Sequence, residues 1–332
     1  MIAAAAIVLA ILAAGLLYQA IGLRRDRIRL APIGRLVDIG GRRLHVYETG
    51  AGGPTVVLEA GIAASSLSWS LVQPRIAEFA RVVSYDRAGL GWSDASDQPC
   101  TPSQLARDLH ALLADAQIPA PYILVAHSYG GLVVRRFATD YPELTAGLVL
   151  VDALHPSEWN APTDQQRATL ARGARLSRRG ALLARFGVVR VSLALLTRGQ
   201  RFLPKLAARV SSGGGSSVTQ RLAAEVGKLP RAVWPHVASH WSNPKSFQAM
   251  ARYLEGLPVS SAEMIGAVPL DQVPVIVITA PDCPAPRRNP ADMAPNAVHI
   301  VAAGSGHWIQ LDEPGLIVEG VRQIVERFRA AT

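Results

Sequence analysis

The chain has little cysteine and few aromatic residues. Cys100 and Cys283 are the only two cysteines among 332 residues, and Phe, Trp and Tyr together make up 6%. Two cysteines so far apart give neither a disulfide framework nor the spacing of a metal site. Acidic residues are outnumbered by basic ones, 25 to 34, which gives a formal net charge of +9. The chain is therefore not a disulfide-rich or zinc-stabilised scaffold. What the positive charge indicates depends on where the basic residues lie along the chain.

Charge is missing altogether from residues 2–23, which are mainly Ala, Ile, Leu and Val. A helix needs about 20 such residues to cross a bilayer. The segment is longer than the apolar part of a signal peptide, about 7–15 residues, and no positive residues precede it. We predict a single-pass transmembrane anchor over residues 1–23, with a cleaved signal sequence or a buried core helix as the alternatives.

Four arginines follow this segment, within a predicted linker over residues 24–34. Positive residues beside a span favour the cytoplasmic side. The sequence therefore predicts that the main domain is cytoplasmic and that the N-terminus lies on the other side of the membrane.

Short apolar runs alternate with helical patterns in residues 35–154 and 261–332. A hairpin is predicted over residues 35–48, and buried strands at 55–58, 81–85, 122–126, 146–151, 275–279 and 298–301. Helical periodicity or position indicates helices at 103–116, 132–140 and 314–328. Buried β-branched strands that alternate with helices indicate a mostly parallel central sheet flanked by helices. These two ranges are predicted to form one α/β core domain.

The positive charge is concentrated in the intervening residues 155–260. This insertion holds sixteen Lys or Arg and four Asp or Glu, a local charge of +12, so the remainder of the chain carries −3. Helical segments surround a Ser/Gly tract at 211–217, which is predicted to be a loop. We predict a helical, basic cap over the open end of the sheet.

One stretch of the insertion, residues 181–196, is largely apolar with Arg185 and Arg190 spaced along it. It fits an amphipathic helix on an anionic leaflet, which makes the cap a second candidate for membrane contact. It equally fits a solvated helix whose apolar face covers the open end of the sheet. Nucleic acid is not an expected partner, because no recognition motif accompanies the charge.

A strand-to-helix turn is predicted at Ser128. The apolar strand at 122–126 leads into His127-Ser128-Tyr129-Gly130-Gly131, and a helical pattern follows. A serine at the apex of such a turn leaves space only for small residues two positions away on each side. Ala126 and Gly130 fit this requirement, with Ala replacing the first Gly of the usual G-x-S-x-G pattern. We predict a nucleophilic Ser128; the alternative is a serine that caps a helix N-terminus.

A serine hydroxyl needs a base within hydrogen-bond reach to act as a nucleophile. The candidate base is His307, in the glycine-containing segment Gly304-Ser305-Gly306-His307 after the last predicted strand. His127, beside the serine, is interpreted as a packing residue.

The combined motifs resemble the α/β-hydrolase superfamily, in its esterase-like branch. The resemblance covers residues 35–155 and 268–328. It rests on Leu58-Glu59-Ala60-Gly61, Asp86-Arg87-Ala88-Gly89-Leu90-Gly91-Trp92-Ser93, the segment around Ser128, and Gly306-His307. It implies an α/β-hydrolase fold with a helical cap, and chemistry that needs no cofactor or metal.

The resemblance also implies two backbone donors for an oxyanion and an acid that orients His307. The donors carried over are the N–H groups of Tyr129 and Ile62. The preferred acid is Asp282, which follows the predicted strand at 275–279. Asp152, which follows the strand at 146–151, is the alternative.

The expected activity is that of a serine hydrolase acting on a carboxylic ester or thioester, with an apolar small-molecule acyl substrate. An acyltransferase, a perhydrolase or a C–C-bond hydrolase on the same triad remains open, as does a membrane-anchored binding module without activity. A dehalogenase or epoxide hydrolase with an aspartate nucleophile is disfavoured, because the turn holds Ser128.

Overall fold

An eight-stranded sheet organises residues 32–174 and 249–332 of the computed structural model, which describes residues 1–198, 227–267, 270–289 and 294–331. The strand order is β1-β2-β4-β3-β5-β6-β7-β8, with the β1–β2 and β2–β4 pairs antiparallel and the other pairs parallel. The strands are β1 Arg35–Asp38, β2 Arg43–Thr49, β3 Thr55–Glu59, β4 Val82–Asp86, β5 Tyr122–His127, β6 Thr145–Val151, β7 Val275–Thr279 and β8 Val298–Val301.

Ten α-helices lie in the described residues. They are α1 Ile2–Arg29, α2 Gln73–Ile76, α3 Pro102–Asp115, α4 Gly130–Asp140, α5 Asp164–Arg185, α6 Val188–Arg198, α7 Trp234–Ser242, α8 Pro244–Ala262, α9 Ile309–Asp312 and α10 Pro314–Ala331. The hairpin, the six strands and the three core helices predicted from the sequence are all present, so the predicted α/β-hydrolase fold class is confirmed. The last strand, β8, is mostly exposed, whereas the sequence predicted it to be buried.

The central strands are buried on both faces because helices cover both sides of the sheet. On one side α3 and α4 pack through residues such as Leu109 and Phe137. On the other side α2 and α10 pack through residues such as Ile76 and Val321. Every residue of β3, β4 and β5 is buried, which explains why their sequences are apolar without alternation.

The insertion predicted as a cap belongs to two compact units. One unit contains residues 1–31 and 175–248, and the other contains residues 32–174 and 249–332. In the second unit, Leu170 of α5 and Tyr253 and Leu257 of α8 pack in one apolar cluster with Tyr129 and Leu132. Residues 199–226, which include the predicted loop at 211–217, lie outside the described residues.

Two predicted boundaries differ from the structure. The single helix expected over residues 181–196 is divided, because α5 ends at Arg185 and α6 begins at Val188. Gly187 between them has φ 75°, a left-handed conformation that terminates a helix and that glycine adopts readily. The N-terminal helix α1 extends through the predicted linker to Arg29, since the four arginines favour helix continuation. By length and composition, α1 fits a membrane span and equally a signal sequence.

The burial of the sheet predicts a large difference between two identical substitutions in strands. Val149 in β6 is fully buried, whereas Val298 in the edge strand β8 is 39% exposed. Val149→Ala should lower the free energy of unfolding by about 2 kcal/mol, from lost transfer energy and a residual cavity. Val298→Ala loses the same β-propensity and should cost about 0.5 kcal/mol. Urea unfolding of the detergent-solubilised chain measures both, and equal losses would contradict the described burial.

Candidate active site

A strained turn places Ser128 between β5 and α4. Ser128 has φ 55°, a left-handed conformation that is unusual for a residue with a side chain. Its N–H donates to the carbonyl oxygen of Val151 at 3.1 Å, and its carbonyl accepts from the N–H groups of Gly131 and Leu154 at 3.0 and 2.9 Å. The backbone of Ser128 is therefore held on both sides, so its partly exposed side chain stands at the carboxyl edge of the sheet.

Close backbone approach explains the glycines that follow Ser128. A Cβ atom on Gly130 would lie 2.7 Å from Glu59 Cγ and 2.8 Å from the carbonyl oxygen of Ala60. A Cβ atom on Gly131 would lie 2.5 Å from Ala153 Cβ. Both distances are too short for a carbon contact, so the helix after Ser128 can approach β3 and the end of β6 only with glycine at these positions.

His307 lies in the loop between β8 and α9 and reaches Ser128. Its Nε2 is 3.1 Å from Ser128 Oγ. The carbonyl oxygen of His307 accepts a hydrogen bond of 2.8 Å from Nε2 of His127, and the two rings are 4.6 Å apart. Burial, together with the neighbouring His307, lowers the pKa of His127 to about 3. The neutral His127 ring thus packs beneath the loop and fixes its backbone, in agreement with the packing role expected from the sequence.

Asp152 holds the other nitrogen of the His307 ring. It directly follows β6, and its Oδ2 lies 2.5 Å from His307 Nδ1. Its Oδ1 accepts from the N–H of Ala280 at 3.3 Å. Burial alone raises the pKa of Asp152, but the hydrogen bond from His307 and the charge of Arg287 outweigh burial and hold that pKa below its ordinary value. Asp152 is therefore an ionised acceptor that orients His307.

The structure does not bring Asp282, the preferred acid, to His307. Asp282 is exposed in the turn after β7 and forms no hydrogen bond with His307, which contacts Asp152 instead. The reason is the strand order: β6 is adjacent to β5, whereas β7 is one strand further away. Because neighbouring strands are about 4.8 Å apart, a carboxylate at the end of β6 lies closer to the turn at Ser128 than one at the end of β7 does.

Arg287 contacts the same carboxylate oxygen of Asp152 as His307 does. Its guanidinium donates to Asp152 Oδ2 at 2.8 Å, to the Asp152 carbonyl at 3.0 Å, and to both carboxylate oxygens of Glu158 at 2.8 and 2.9 Å. Arg287 Nη1 is also 3.4 Å from His307 Nδ1. All three charged partners are buried, with side chains 2–9% exposed. One arginine therefore compensates two carboxylates, because a buried charge without a partner is strongly unfavourable.

The loop after β3 approaches Ser128 from the opposite side. A Cβ atom on Gly61 would lie 2.8 Å from His127 Nδ1 and 3.3 Å from Ser128 Cβ. Ile62 follows Gly61 in a turn whose next residue, Ala63, has φ 58°. Among the described residues, the N–H groups of Ile62 and Tyr129 have no protein acceptor. Two candidate donors therefore lie in segments beside the nucleophile.

Arg87 fixes this loop from beneath. Its Nη2 donates to the carbonyl oxygen of Gly61 at 2.5 Å, and its Nη1 is 3.1 Å from Glu59 Oε1. The guanidinium also lies over the rings of Tyr129 and Tyr253, at 5.3 and 4.8 Å from their centroids. Burial raises the pKa of the Glu59 carboxyl, and the Arg87 charge opposes this shift. Arg87 therefore connects β3 and the loop after it, which contains Ile62, with Tyr129 at the start of α4.

The D-R-x-G-x-G-x-S segment is explained by its own hydrogen bonds. Asp86 accepts from the N–H groups of Ser66 and Trp92, at 2.7 and 3.0 Å, and Ser93 Oγ donates to the Asp86 carbonyl at 2.5 Å. Gly91 has φ 48°, and a Cβ there would lie 2.0 Å from Asp86 Oδ2. The motif is thus a folded loop that holds Arg87 in place.

The arrangement can activate a hydroxyl group. A serine, a histidine and an ionised aspartate follow one another at hydrogen-bond distance, and the N–H groups of Ile62 and Tyr129 lie in segments next to the serine. In the described residues no group of three or more His, Cys, Asp or Glu is placed to hold a metal ion.

A family model described as "Alpha/beta hydrolase family" matches residues 56–319, which contain the sheet from β3 onward and all three residues of the hydrogen-bonded chain. The protein belongs to the alpha/beta hydrolase family. The family contains enzymes that hydrolyse several bond types, so membership establishes a hydrolase fold without fixing the bond that is cleaved.

Two curated relatives illustrate this breadth. The "Haloalkane dehalogenase" of Sphingobium indicum strain UT26 is 27% identical over 308 residues, which are 90% of this alpha/beta hydrolase and 96% of the relative. The "Uncharacterized protein YqjL" of Bacillus subtilis is 35% identical over 106 residues, 32% of this chain. The match spans only 42% of that relative's own length.

Solved structures show the same fold. Cfl2 from Burkholderia cenocepacia superposes with a TM-score of 0.65 and 24% identity, over 88% of this chain and 95% of Cfl2. At this level of identity the likeness extends to the fold alone.

Sequence reasoning missed Arg87, Glu59, Arg287 and Glu158. Glu59 and Arg87 stand inside the motifs that were quoted for the family resemblance, and charged residues at the ends of apolar strands were a usable signal of a buried ion pair. Arg287 had no such signal, since it lies next to Arg288 in a proline-rich segment and the two are alike in sequence context.

Neutralising Arg287 should destabilise the fold in a pH-dependent way. Arg287→Gln leaves Asp152 and Glu158 without their shared cation, which should lower the free energy of unfolding by about 3 kcal/mol at neutral pH. Because the folded-state pKa of Asp152 is depressed, its stabilising ionisation exists above the ordinary pKa near 3.9 and is lost as the pH falls through the folded value. The difference from wild type should therefore narrow below about pH 4.

Arg288→Gln is the matched control, because Arg288 is exposed and its hydrogen bonds to described residues go to the carbonyls of Cys283 and Pro281. It should change stability by about 0.5 kcal/mol or less. Thermal unfolding of the detergent-solubilised wild type and variants, from about pH 3 to about pH 8, measures these differences in stability across the range in which the carboxyl groups ionise. An Arg287→Gln protein as stable as the control at neutral pH would contradict the described ion pairs.

Proposed function

We propose that the chain is a serine hydrolase that cleaves a carboxylic ester or thioester through Ser128, His307 and Asp152. The observation that carries the proposal is the continuous hydrogen-bonded chain from Ser128 Oγ to His307 Nε2, 3.1 Å, and from His307 Nδ1 to Asp152 Oδ2, 2.5 Å. A serine, a general base and a buried acid in this order form the arrangement that activates a hydroxyl for acyl transfer.

In the first half of the reaction, Ser128 Oγ attacks the carbonyl carbon and His307 Nε2 takes the hydroxyl proton. The developing oxyanion accepts hydrogen bonds from the N–H groups of Tyr129 and Ile62, each worth about 3 kcal/mol. Asp152 stabilises the imidazolium and keeps Nδ1 protonated. Collapse of the tetrahedral intermediate expels the alcohol or thiol, which receives the proton from His307 and leaves an acyl group on Ser128.

In the second half, His307 takes a proton from water and the resulting hydroxide equivalent attacks the acyl carbon. The second tetrahedral intermediate uses the same two N–H donors. Its collapse releases the carboxylic acid, and His307 returns the proton to Ser128 Oγ. Atoms and charge balance without a metal or cofactor.

The surroundings of Ser128 favour an apolar acyl group. The apolar cluster that contains Tyr129 and Leu154 also includes the partly buried Ile62 and Trp159. Apolar side chains of this kind bind acyl chains by removing them from water. We therefore extend the proposal to small esters with an apolar acyl part.

The dehalogenase relative is a weaker guide to this site. Displacement of a halide through a covalent intermediate uses a carboxylate nucleophile. The turn between β5 and α4 carries the hydroxyl of Ser128 instead. An acyltransferase, a perhydrolase or a C–C-bond hydrolase shares the first half of the reaction and differs in the group that attacks the acyl-enzyme or in the bond broken. A binding module without activity would not require the aligned base and acid.

The nucleophile is tested with a fluorophosphonate probe and p-nitrophenyl esters of increasing acyl length. The wild-type chain should gain one probe adduct on Ser128, and Ser128→Ala should lose the adduct and at least a thousandfold in kcat (roughly the loss seen when a triad serine is removed). Far-ultraviolet circular dichroism checks that the variant is folded. A wild-type chain that never labels, or a Ser128→Ala chain that labels equally, would overturn the hydrolase proposal.

The identity of the acid is tested by two aspartate substitutions. Asp152→Asn should reduce kcat by about 10⁴ because the neutral amide no longer fixes the His307 tautomer. Asp282→Asn, an identical change at an exposed position, should keep wild-type kcat. The reverse pattern, with loss of kcat only in Asp282→Asn, would show that the acid comes from the turn after β7.

A further inference from the structure

One face of the second half of α1 packs against protein, whereas the first half of the helix is exposed. Along this face Gly15, Gln19, Gly22 and Asp26 recur at the spacing of helix turns. A Cβ on Gly15 would lie 2.6 Å from the Phe186 carbonyl oxygen, so the two backbones are in close contact. By contrast, residues 1–14 are exposed at every position.

Polar contacts hold the second half of α1 to α6 and α7. Gln19 Nε2 donates to the Ser242 carbonyl at 2.8 Å, and Gln19 Oε1 accepts from Arg190 Nε at 3.0 Å. Arg190 Nη1 pairs with Asp26 Oδ2 at 2.8 Å, and Ser239 Oγ donates to the same oxygen at 2.9 Å. Gln19 is 3% exposed, and both ends of its amide are satisfied. A satisfied amide is what a polar residue in an apolar span requires, because lipid supplies no hydrogen bonds.

The length of α1 limits how it can cross a bilayer. At 1.5 Å per residue, residues 2–14 extend only about 20 Å, whereas the hydrocarbon layer is about 30 Å thick. The full uncharged stretch, residues 2–23, extends about 33 Å and is just sufficient. If α1 spans the membrane, residues 15–23 must therefore also lie in the hydrocarbon layer, and so must the part of α6 that packs on them.

The outer face of α6 is apolar, as a position in the hydrocarbon layer requires. Val188, Val191 and Leu195 recur at helical spacing and are 46%, 44% and 57% exposed. Exposed apolar residues of α5 in the same compact unit extend this surface, namely Leu176, Leu182 and Leu183, which are 47–56% exposed. The exposed Arg179 of α5 supplies charge of the sign that attracts anionic headgroups.

We propose that α6, together with α1, is embedded in one leaflet of an anionic bilayer, with Val188, Val191 and Leu195 in contact with acyl chains. Helix α6 is then a lipid-binding surface, and the contacts of Gln19 and Asp26 fix it to α1. The protein therefore binds the membrane through α6 as well as through α1. This inference concerns a different part of the chain from the catalytic site and does not depend on the proposed hydrolysis.

The test uses the full chain in vesicles of phosphatidylcholine and phosphatidylglycerol that carry a phospholipid with a photoactivatable diazirine on its acyl chain. After irradiation and trypsin digestion, mass spectrometry locates the attached lipid. The tryptic peptide of residues 1–24, which contains the first half of α1, and the peptide that starts at Val191 should both be labelled, to within about threefold of each other since both contact acyl chains. Peptides of α10 should remain unlabelled and serve as the internal negative control.

A double substitution, Val191→Ser with Leu195→Ser, makes the test specific. It should reduce labelling of α6 at least fivefold (roughly the effect of about 1 kcal/mol in local contact) and leave labelling of residues 2–14 unchanged. The exposed pair Val259→Ser and Ile265→Ser, which lies outside the compact unit that contains α1 and α6, is a matched control that keeps labelling of α6.

Three outcomes would overturn the proposal. Labelling of α1 without α6 would place the cap outside the hydrocarbon layer. Chemical crosslinking of α6 to a second copy, with no lipid attached, would make this face a dimer interface. Absence of residues 1–23 from the purified mature protein would identify α1 as a cleaved signal sequence.

Discussion

The left-handed backbone at Ser128 is the constraint on which the site depends. The turn is stable because its N–H and carbonyl groups bond to the end of β6 and to the residues after it, so that β5, α4 and the segment carrying Asp152 form one hydrogen-bonded unit. Gly130 and Gly131 allow this close approach, and any side chain there would separate the strand ends. The same contacts therefore fix both the direction of the Ser128 side chain and the position of Asp152 relative to it.

Two buried arginines stabilise opposite halves of this unit. Arg287 compensates Asp152 and Glu158 on the histidine side, and Arg87 compensates Glu59 and holds the Gly61 carbonyl on the side of the candidate oxyanion donors. Each arginine bonds to backbone as well as to carboxylate, so each one positions a loop while it neutralises a charge. The cost of removing either charge from water is offset by several charge-assisted hydrogen bonds in a fixed geometry.

Much of the fold was predictable because strands that are buried on both faces of the sheet have continuous apolar sequences. The strands and the helices of the core follow from that pattern, and Ser128 and His307 follow from the small residues that tight turns require. The acid was not predictable from the residues alone, since Asp152 and Asp282 both follow parallel strands and only the order of strands in the sheet separates them. Arg287 and Arg288 are likewise adjacent in sequence, and only the fold decides that Arg287 is buried.

The helix boundaries that were missed also have local causes. The break between α5 and α6 depends on the conformation of Gly187 in contact with Tyr18 of α1, a contact that no window of local sequence contains. The extension of α1 to Arg29 places Asp26 opposite Arg190, so part of the predicted linker belongs to a packed helix.

The central claim is a covalent intermediate on Ser128, and the most direct measurement is acid-quenched rapid mixing of the full chain with a p-nitrophenyl ester, followed by mass analysis of its peptides. The account predicts one acyl group per chain, attached to Ser128, which disappears as the product acid forms and which is absent from His307→Gln. Turnover of the ester with an acyl group on another residue, or with none on Ser128 at any time, would contradict it.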